Sequence, residues 1–252
     1  MSKILRKLVN GFERLFDVSV IRRSSGAHWP EANFERGLMQ RLNIDCVFDV
    51  GANVGQYAAH LRRVIGFKGT ILSFEPNPAA FKDLQRAAMS DPSWHCYPFA
   101  LGAISKSDIL NVTKADVFSS IRRPLQDEGR HFADSSQVEE QVEIEVYALE
   151  DCLDQLRSEF SFARAFLKLD TQGYDLEVLK GAGLSINTFV GAQSEVSFVP
   201  LYEHQPTAHE SINAFRAAGL EIVDLFNVHP AFQLSPLIEC NCFFLRRDLT
   251  VA

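Results

Sequence analysis

The stretch Cys46-Val47-Phe48-Asp49-Val50-Gly51-Ala52-Asn53-Val54-Gly55-Gln56-Tyr57, followed by Thr70-Ile71-Leu72-Ser73-Phe74-Glu75, constrains the fold more than any other part of the chain. The first run reads as a buried strand that stops at an acid and turns sharply over two glycines into a helix. The second reads as the neighbouring strand, closed by a carboxylate. Together they describe a nucleoside-cofactor site at the carboxyl edge of a parallel sheet. A side chain at Gly51 would collide with the ligand or strain the turn, and Gly55 lets the following helix approach the sheet.

The rest of the chain continues the alternation. After the strand at 45–50 comes a helix at 57–65, with Tyr57, Leu61, Val64 and Ile65 on one face. A strand at 70–75, a helix at 79–89 and a third strand at 94–100 follow. Apolar strands separated by helices predict a parallel sheet covered on both faces. Between 103 and 150 the pattern changes to half-exposed strands at 109–112 and 142–147 around a polar stretch, 116–137. This is a β-hairpin insertion whose mobile tip is expected to lie over the site. Strands at 165–170, 188–196 and 221–226 resume the series, with helices at 176–181 and 207–218. A last strand at 241–246 follows a short connection, which suits an antiparallel partner. A seven-stranded, mostly parallel α/β sheet with such a late partner is the Rossmann-like class I methyltransferase architecture. The domain is expected to run from 34 to 252.

Residues 1–33 form a separate extension. Within it, Ile4, Leu5, Leu8, Val9, Phe12, Leu15 and Phe16 repeat at helical spacing among Lys3, Arg6, Lys7 and Arg14. This amphipathic basic helix at 3–18 is read as a cover for the domain, a homodimer seam or a peripheral contact with an anionic membrane surface. No segment has the apolar length of a membrane span or a signal peptide. A formal charge of −7 disfavours general nucleic-acid affinity. The five cysteines (46, 96, 152, 240 and 242) complete no zinc pattern and read as buried thiols of a reducing compartment, so the expected location is cytoplasmic and no metal site is expected.

The cofactor follows from the first motif. Asn53 stands where dinucleotide binders place a glycine against the pyrophosphate, which favours S-adenosylmethionine. The helix start near 53–56 offers amides for its carboxylate. Asp49 is positioned to receive its ammonium, directly or through water. Glu75, 24 residues after Gly51, sits near the offset of ribose-binding acids, with Pro76 beside it. Ala100 and Leu101 would hold the adenine by apolar contact. Asp170, ending its strand at the same edge, is the first candidate for the base that accepts a hydroxyl proton, and Glu195 and His204 are further candidates. Asp170 and Glu195 could also hold Mg²⁺, which the sequence does not require. Phe118, Phe132, Phe198, Tyr202 and Phe232 could wall an apolar acceptor site.

These residues carry a family resemblance. Phe48-Asp49-Val50-Gly51-Ala52-Asn53-Val54-Gly55, Phe74-Glu75-Pro76-Asn77, Ala100-Leu101-Gly102, Ser119-Ser120 and Val146-Tyr147-Ala148-Leu149-Glu150-Asp151 occur in one order with Leu167-Lys168-Leu169-Asp170-Thr171-Gln172-Gly173 and Glu177-Val178-Leu179-Lys180-Gly181-Ala182. From about residue 45 to 247 the chain resembles the FkbM-family methyltransferases. The resemblance implies S-adenosylmethionine-dependent O-methylation of a hydroxyl on a small molecule or glycan, with a sugar or polyketide-like acceptor. It also implies that Gly51, Glu75 and Asp170 occupy cofactor or active-site positions. Gln172 departs from the pattern, which commonly has an acid in this block. Two other readings stand beside this one: a non-enzymatic S-adenosylmethionine-binding subunit and an NAD-dependent oxidoreductase. Asn53 and the lack of a Tyr-x-x-x-Lys pair argue against the latter.

Overall fold

The structure, a computed structural model, describes residues 29–125, 134–228 and 236–250. The helix expected at 3–18 lies outside the described residues, as do Phe132 and Phe232.

Among the described residues the order is α1 (Trp29–Arg41), β1 (Cys46–Val50), α2 (Gln56–His60, continued by a π-helical turn over Leu61–Ile65), β2 (Thr70–Phe74), α3 (Pro78–Ala88) and β3 (Trp94–Tyr97). Then come β4 (Ala100–Gly102), β5 (Lys106–Thr113), β6 (Val138–Ala148), α4 (Leu149–Phe160), β7 (Ala165–Leu169) and α5 (Asp175–Ala182). The chain closes with β8 (Phe189–Ser197), α6 (Ala208–Ala217), β9 (Leu220–Asn227) and β10 (Glu239–Arg246). The main sheet has seven strands in the order β3-β2-β1-β7-β8-β10-β9. β10 enters between β8 and β9 and runs antiparallel to both, as the short connection before it predicts. A second sheet of three strands, β4-β6-β5, holds the hairpin.

One expected strand is divided. The run at 94–100 ends its main-sheet pairing at Tyr97, and Ala100–Gly102 pairs instead with β6. Pro98 lies between the two pieces; it lacks the N–H needed to continue the ladder, so the chain changes sheets there. α1 and α4 go beyond the sequence reading.

Two apolar layers cover the main sheet. On one face Phe48, Phe74, Leu167, Phe189 and Phe244 pack under α4, α5 and α6 through Leu149, Leu153, Val178 and Phe215. On the other, Val47, Ile71, Phe166 and Phe243 pack under α1, α2 and α3 through Leu38, Ala58, Leu61 and Leu84. Every residue of β1 and β7 is buried, which is why these strands read as nearly continuous apolar runs. Their exceptions, Asp49 and Lys168, are cross-strand neighbours and answer each other. All five cysteines are free thiols. Among the described residues no helix is long and apolar enough to cross a membrane.

Candidate active site

The carboxyl ends of β1, β2, β7 and β8 open into a cavity of about 530 Å³. A row of buried polar groups supports its floor. The Trp94 indole N–H donates to Ser73 Oγ at 2.9 Å, and Ser73 Oγ donates to Asp49 Oδ2 at 3.0 Å. Lys168 Nζ donates to Asp49 Oδ1 at 3.1 Å, with Asp170 Oδ2 3.6 Å away. Burial pushes the Lys168 ammonium down, but Asp49 and Asp170 more than offset it, and its pKa stays above the ordinary lysine value.

Glu75 stands at the end of β2, 7% exposed. Its Oε2 accepts from the Asn53 amide at 2.7 Å and its Oε1 from the Asn77 amide at 2.8 Å. The second bond exists because Asn77 is the N-cap of α3, its own side chain accepting from the Ala79 amide. Burial still dominates and raises the Glu75 carboxyl to about 7, against the opposing amides and Lys168. Phe74, Pro76, Ala100, Leu101 and Leu110 make an apolar slot beside it. Gly51 has φ +74, and a Cβ there would overlap the carbonyl oxygen of Asp170, so β1 and β7 can meet closely only at glycine.

At the other end Asp170 faces the cavity, its side chain 40% exposed. Gln172, in the left-handed region at φ 52, turns its Nε2 between two acids: it donates to Asp170 Oδ1 at 2.8 Å and to Glu195 Oε2 at 3.2 Å. The Tyr202 hydroxyl donates to Gln172 Oε1 at 2.8 Å, which fixes the amide's orientation. Burial first, then Asp170, Glu239 and Asp175, push the Glu195 carboxyl well above its usual range; burial likewise raises Glu239 to about 7. A fifth acid at position 172 would add to this repulsion, and the neutral amide relieves it. The hairpin closes the site through Val117, Phe118, Ser119, Ser120 and Ile121. It is tied to the 171–173 turn by Ser120 Oγ donating to the Gln172 carbonyl at 2.8 Å and Arg122 Nε to the Gly173 carbonyl at 2.7 Å.

Gly51, Asn53, Glu75, Pro76, Ala100, Leu101, Asp170 and Glu195 therefore share one cavity. Three expected residues do not line it. Asp49 is fully buried with both oxygens engaged, because strand alternation turns it under α2 one residue before the edge. Gly55, at φ +89, serves packing: a Cβ there would lie 2.8 Å from the Trp94 ring. His204 is exposed in a turn at φ 57, away from the lining. The amides of Gly51, Ala52, Asn53 and Gly55 are consumed within the fold, so the turn does not offer them to a ligand carboxylate. Of the aromatic residues named above, Phe118 lines the cavity, Tyr202 is buried behind it and Phe198 is 44% exposed. Sequence reasoning gave no site role to Lys168, Gln193, Glu239 or the α1 acids Glu31 and Glu35, all of which line the cavity. A lysine inside Ala-Phe-Leu-Lys-Leu was the available signal for the first. Among the described residues no group of three His, Cys, Asp or Glu is arranged to hold a metal ion.

The methyltransferase FkbM domain model matches residues 49–222, more than half of the chain. The chain belongs to the FkbM methyltransferase family. No curated protein sequence matches it. Among solved structures it resembles the FkbM methyltransferase of Methylobacillus flagellatus KT, with 18% identity and a TM-score of 0.50 over 79% of this chain. The match spans 43% of that longer chain. Magnesium protoporphyrin IX methyltransferase from Synechocystis PCC 6803, solved with S-adenosylmethionine bound, is 10% identical with a TM-score of 0.44, covering 96% of this chain and 95% of the other. Aeropyrum pernix fibrillarin is 13% identical with a TM-score of 0.44, covering 80% and 66%. Likeness at these identities concerns the fold. Methyl transfer is the activity of the family to which the chain belongs.

Proposed function

We propose that this FkbM-family methyltransferase uses S-adenosylmethionine to methylate a hydroxyl of a small molecule or glycan. The observation that carries the reading is one cavity with a buried carboxylate beside an apolar slot at one end and a half-exposed carboxylate at the other, Glu75 and Asp170.

The residues fit that cofactor. Glu75 has one amide on each oxygen, and each oxygen has a further lone pair for a ribose hydroxyl. Phe74, Pro76, Ala100, Leu101 and Leu110 suit a flat base. Six carboxyl groups line the cavity (Glu31, Glu35, Glu75, Asp170, Glu195 and Glu239) with Lys168 the lysine among them, an acidic lining that suits a cationic ligand better than an anionic one. When bound, S-adenosylmethionine supplies a methyl group already activated on a cationic sulfur. The chain's own work is then to orient an acceptor oxygen and remove its proton. Asp170 takes the proton, because it is the acid at this edge with substantial exposure to the cavity. Gln172 holds the Asp170 carboxylate in one orientation, and the hairpin residues Val117–Ile121 exclude water above it.

The test is transfer of labelled methyl from S-adenosylmethionine to a panel of hydroxyl compounds, with Asp170→Asn beside the native protein. The variant is expected to keep S-adenosylhomocysteine affinity and lose about 10²-fold or more in rate, the usual contribution of a general base. Equal rates would remove Asp170 from the mechanism, and transfer to nitrogen compounds alone would overturn the hydroxyl assignment.

A further inference from the structure

We propose that Gln193 donates a hydrogen bond to a second oxygen of the acceptor, so that the molecule methylated here is a polyol of the sugar kind and not a simple alcohol. The proposal rests on the methyltransferase reading and names its acceptor class and the residue that selects it.

The sheet register places Gln193. It lies opposite Lys168 of β7 on one side and Phe243 of β10 on the other. It comes two residues before Glu195, on the same face of β8, as Lys168 comes two before Asp170. Two residues of strand advance about 6.5 Å, so Gln193 belongs to the floor of the cavity, one layer below the acids at its edge. Across the sheet the strands run β2-β1-β7-β8, with Glu75 following β2 and Asp170 following β7. Gln193 is therefore one strand beyond the base, on the side away from the ribose acid. Cofactor and acceptor meet at Asp170, so this far side is where the acceptor extends. An oxygen bonded to Gln193 lies a layer below the one that gives its proton to Asp170, and is a different atom.

No group of the chain pairs with this amide. Gln193 is 6% exposed and lines the cavity. Its Oε1 is enclosed without a hydrogen-bond partner, and its Nε2 makes no hydrogen bond either but keeps access to the cavity. Of its register neighbours, Phe243 is apolar, and Lys168 Nζ is turned to Asp49 at 3.1 Å and the Gly51 carbonyl at 3.3 Å. The other amides of this lining are engaged: Gln172 Nε2 donates to Asp170 and Glu195, and Asn241 Nδ2 to Glu31 at 2.7 Å. A buried amide without partners lowers stability where an apolar side chain of the same length would not, so this position is kept for a ligand. Nε2 only donates, and its partner is an atom with a lone pair: a hydroxyl, ring or carbonyl oxygen. Glu195, one layer above, works against a carboxylate or phosphate there, which leaves the uncharged oxygens of a polyol.

The cofactor's own carboxylate is the competing partner, and one variant separates the two. Gln193→Met keeps the length of the side chain and removes the amide. Native and variant chains are titrated with S-adenosylhomocysteine and assayed for labelled methyl transfer to methyl glucoside, methyl galactoside, myo-inositol and cyclohexanol. The native chain is expected to use at least one polyol with kcat/KM about tenfold or more above cyclohexanol. In the variant, KM for that polyol should rise about five- to tenfold, the worth of one hydrogen bond, with kcat within about twofold because the lost contact is not at the reacting oxygen. S-Adenosylhomocysteine affinity should stay within about twofold, and the urea midpoint should equal or exceed that of the native chain, since an unpaired amide has been removed. Equal use of cyclohexanol, no transfer to any polyol or an unchanged KM would each overturn the proposal. So would a lowered urea midpoint, which would make the amide structural, or a loss of S-adenosylhomocysteine affinity, which would give Nε2 to the cofactor. Failure of the native chain to bind S-adenosylhomocysteine would instead overturn the cofactor reading beneath it.

Discussion

Replacing Glu75 by Gln should stabilise the ligand-free protein at neutral pH while removing the group that grips a ribose. The carboxyl is 7% exposed and receives two backbone amides, yet burial outweighs them and lifts its pKa from 4.5 to about 7. A group whose folded pKa lies above its unfolded value favours the folded state fully below the unfolded value, and that contribution is lost as pH rises through the folded one. The gap between 4.5 and about 7 corresponds to about 3 kcal/mol. Glutamine resembles the protonated carboxyl in shape and neutrality, and each leaves one of the two amides without a full acceptor, so that defect cancels. The native protein and Glu75→Gln should therefore be equally stable near pH 4.5, where Glu75 is protonated when folded. By about pH 8 the variant should lead by about 2–3 kcal/mol. Urea unfolding followed by circular dichroism at the two pH values measures the difference. A variant that is less stable at the higher pH, or a difference that does not change with pH, would refute the claim that burial governs this carboxylate.

Three further outcomes follow from the same geometry. Lys168→Met leaves Asp49 fully buried with Ser73 as its remaining side-chain partner and should cost about 3–5 kcal/mol in urea unfolding, with part recovered on adding Asp49→Asn; a loss below about 1 kcal/mol would show the pair is not structural. Gly51→Ala meets both a positive φ and the Asp170 carbonyl, so thermal unfolding should report a loss of about 3 kcal/mol or more, and an unchanged melting temperature would contradict the close approach of β1 and β7. His204→Ala should leave S-adenosylhomocysteine affinity and methyl transfer within about twofold of native, since His204 is exposed and outside the cavity; a larger fall in rate would return it to the list of bases.

The strand–turn–helix at 46–57 and the acid at 75 were legible because each is a local feature: apolar run, glycines at the turn, carboxylate at the strand end. Seven strands and the late antiparallel partner followed from the same alternation. What escaped depends on contacts far apart in sequence. Asp49 looked like a ligand-facing acid until Lys168, 119 residues away, claimed it. Gln172 looked like the loss of an acid, and the structure makes it the amide shared by two acids, one of them 23 residues on. Glu239 and Asn241 join the cavity only because β10 inserts beside β8. Pro98 was a readable break in the third strand, and the partner waiting beyond it, β6, was not.

The central claim is that Glu75 and its slot hold the nucleoside half of S-adenosylmethionine. Calorimetric titration with S-adenosylhomocysteine of the native chain and of Glu75→Gln, with NAD⁺ run in parallel, tests it most directly. The account predicts micromolar binding to the native protein and none of NAD⁺. It also predicts a loss of about a hundredfold in the variant, the worth of hydrogen bonds to a charged acceptor. Equal affinities in the two proteins, or a native chain that binds NAD⁺ and not S-adenosylhomocysteine, would contradict it.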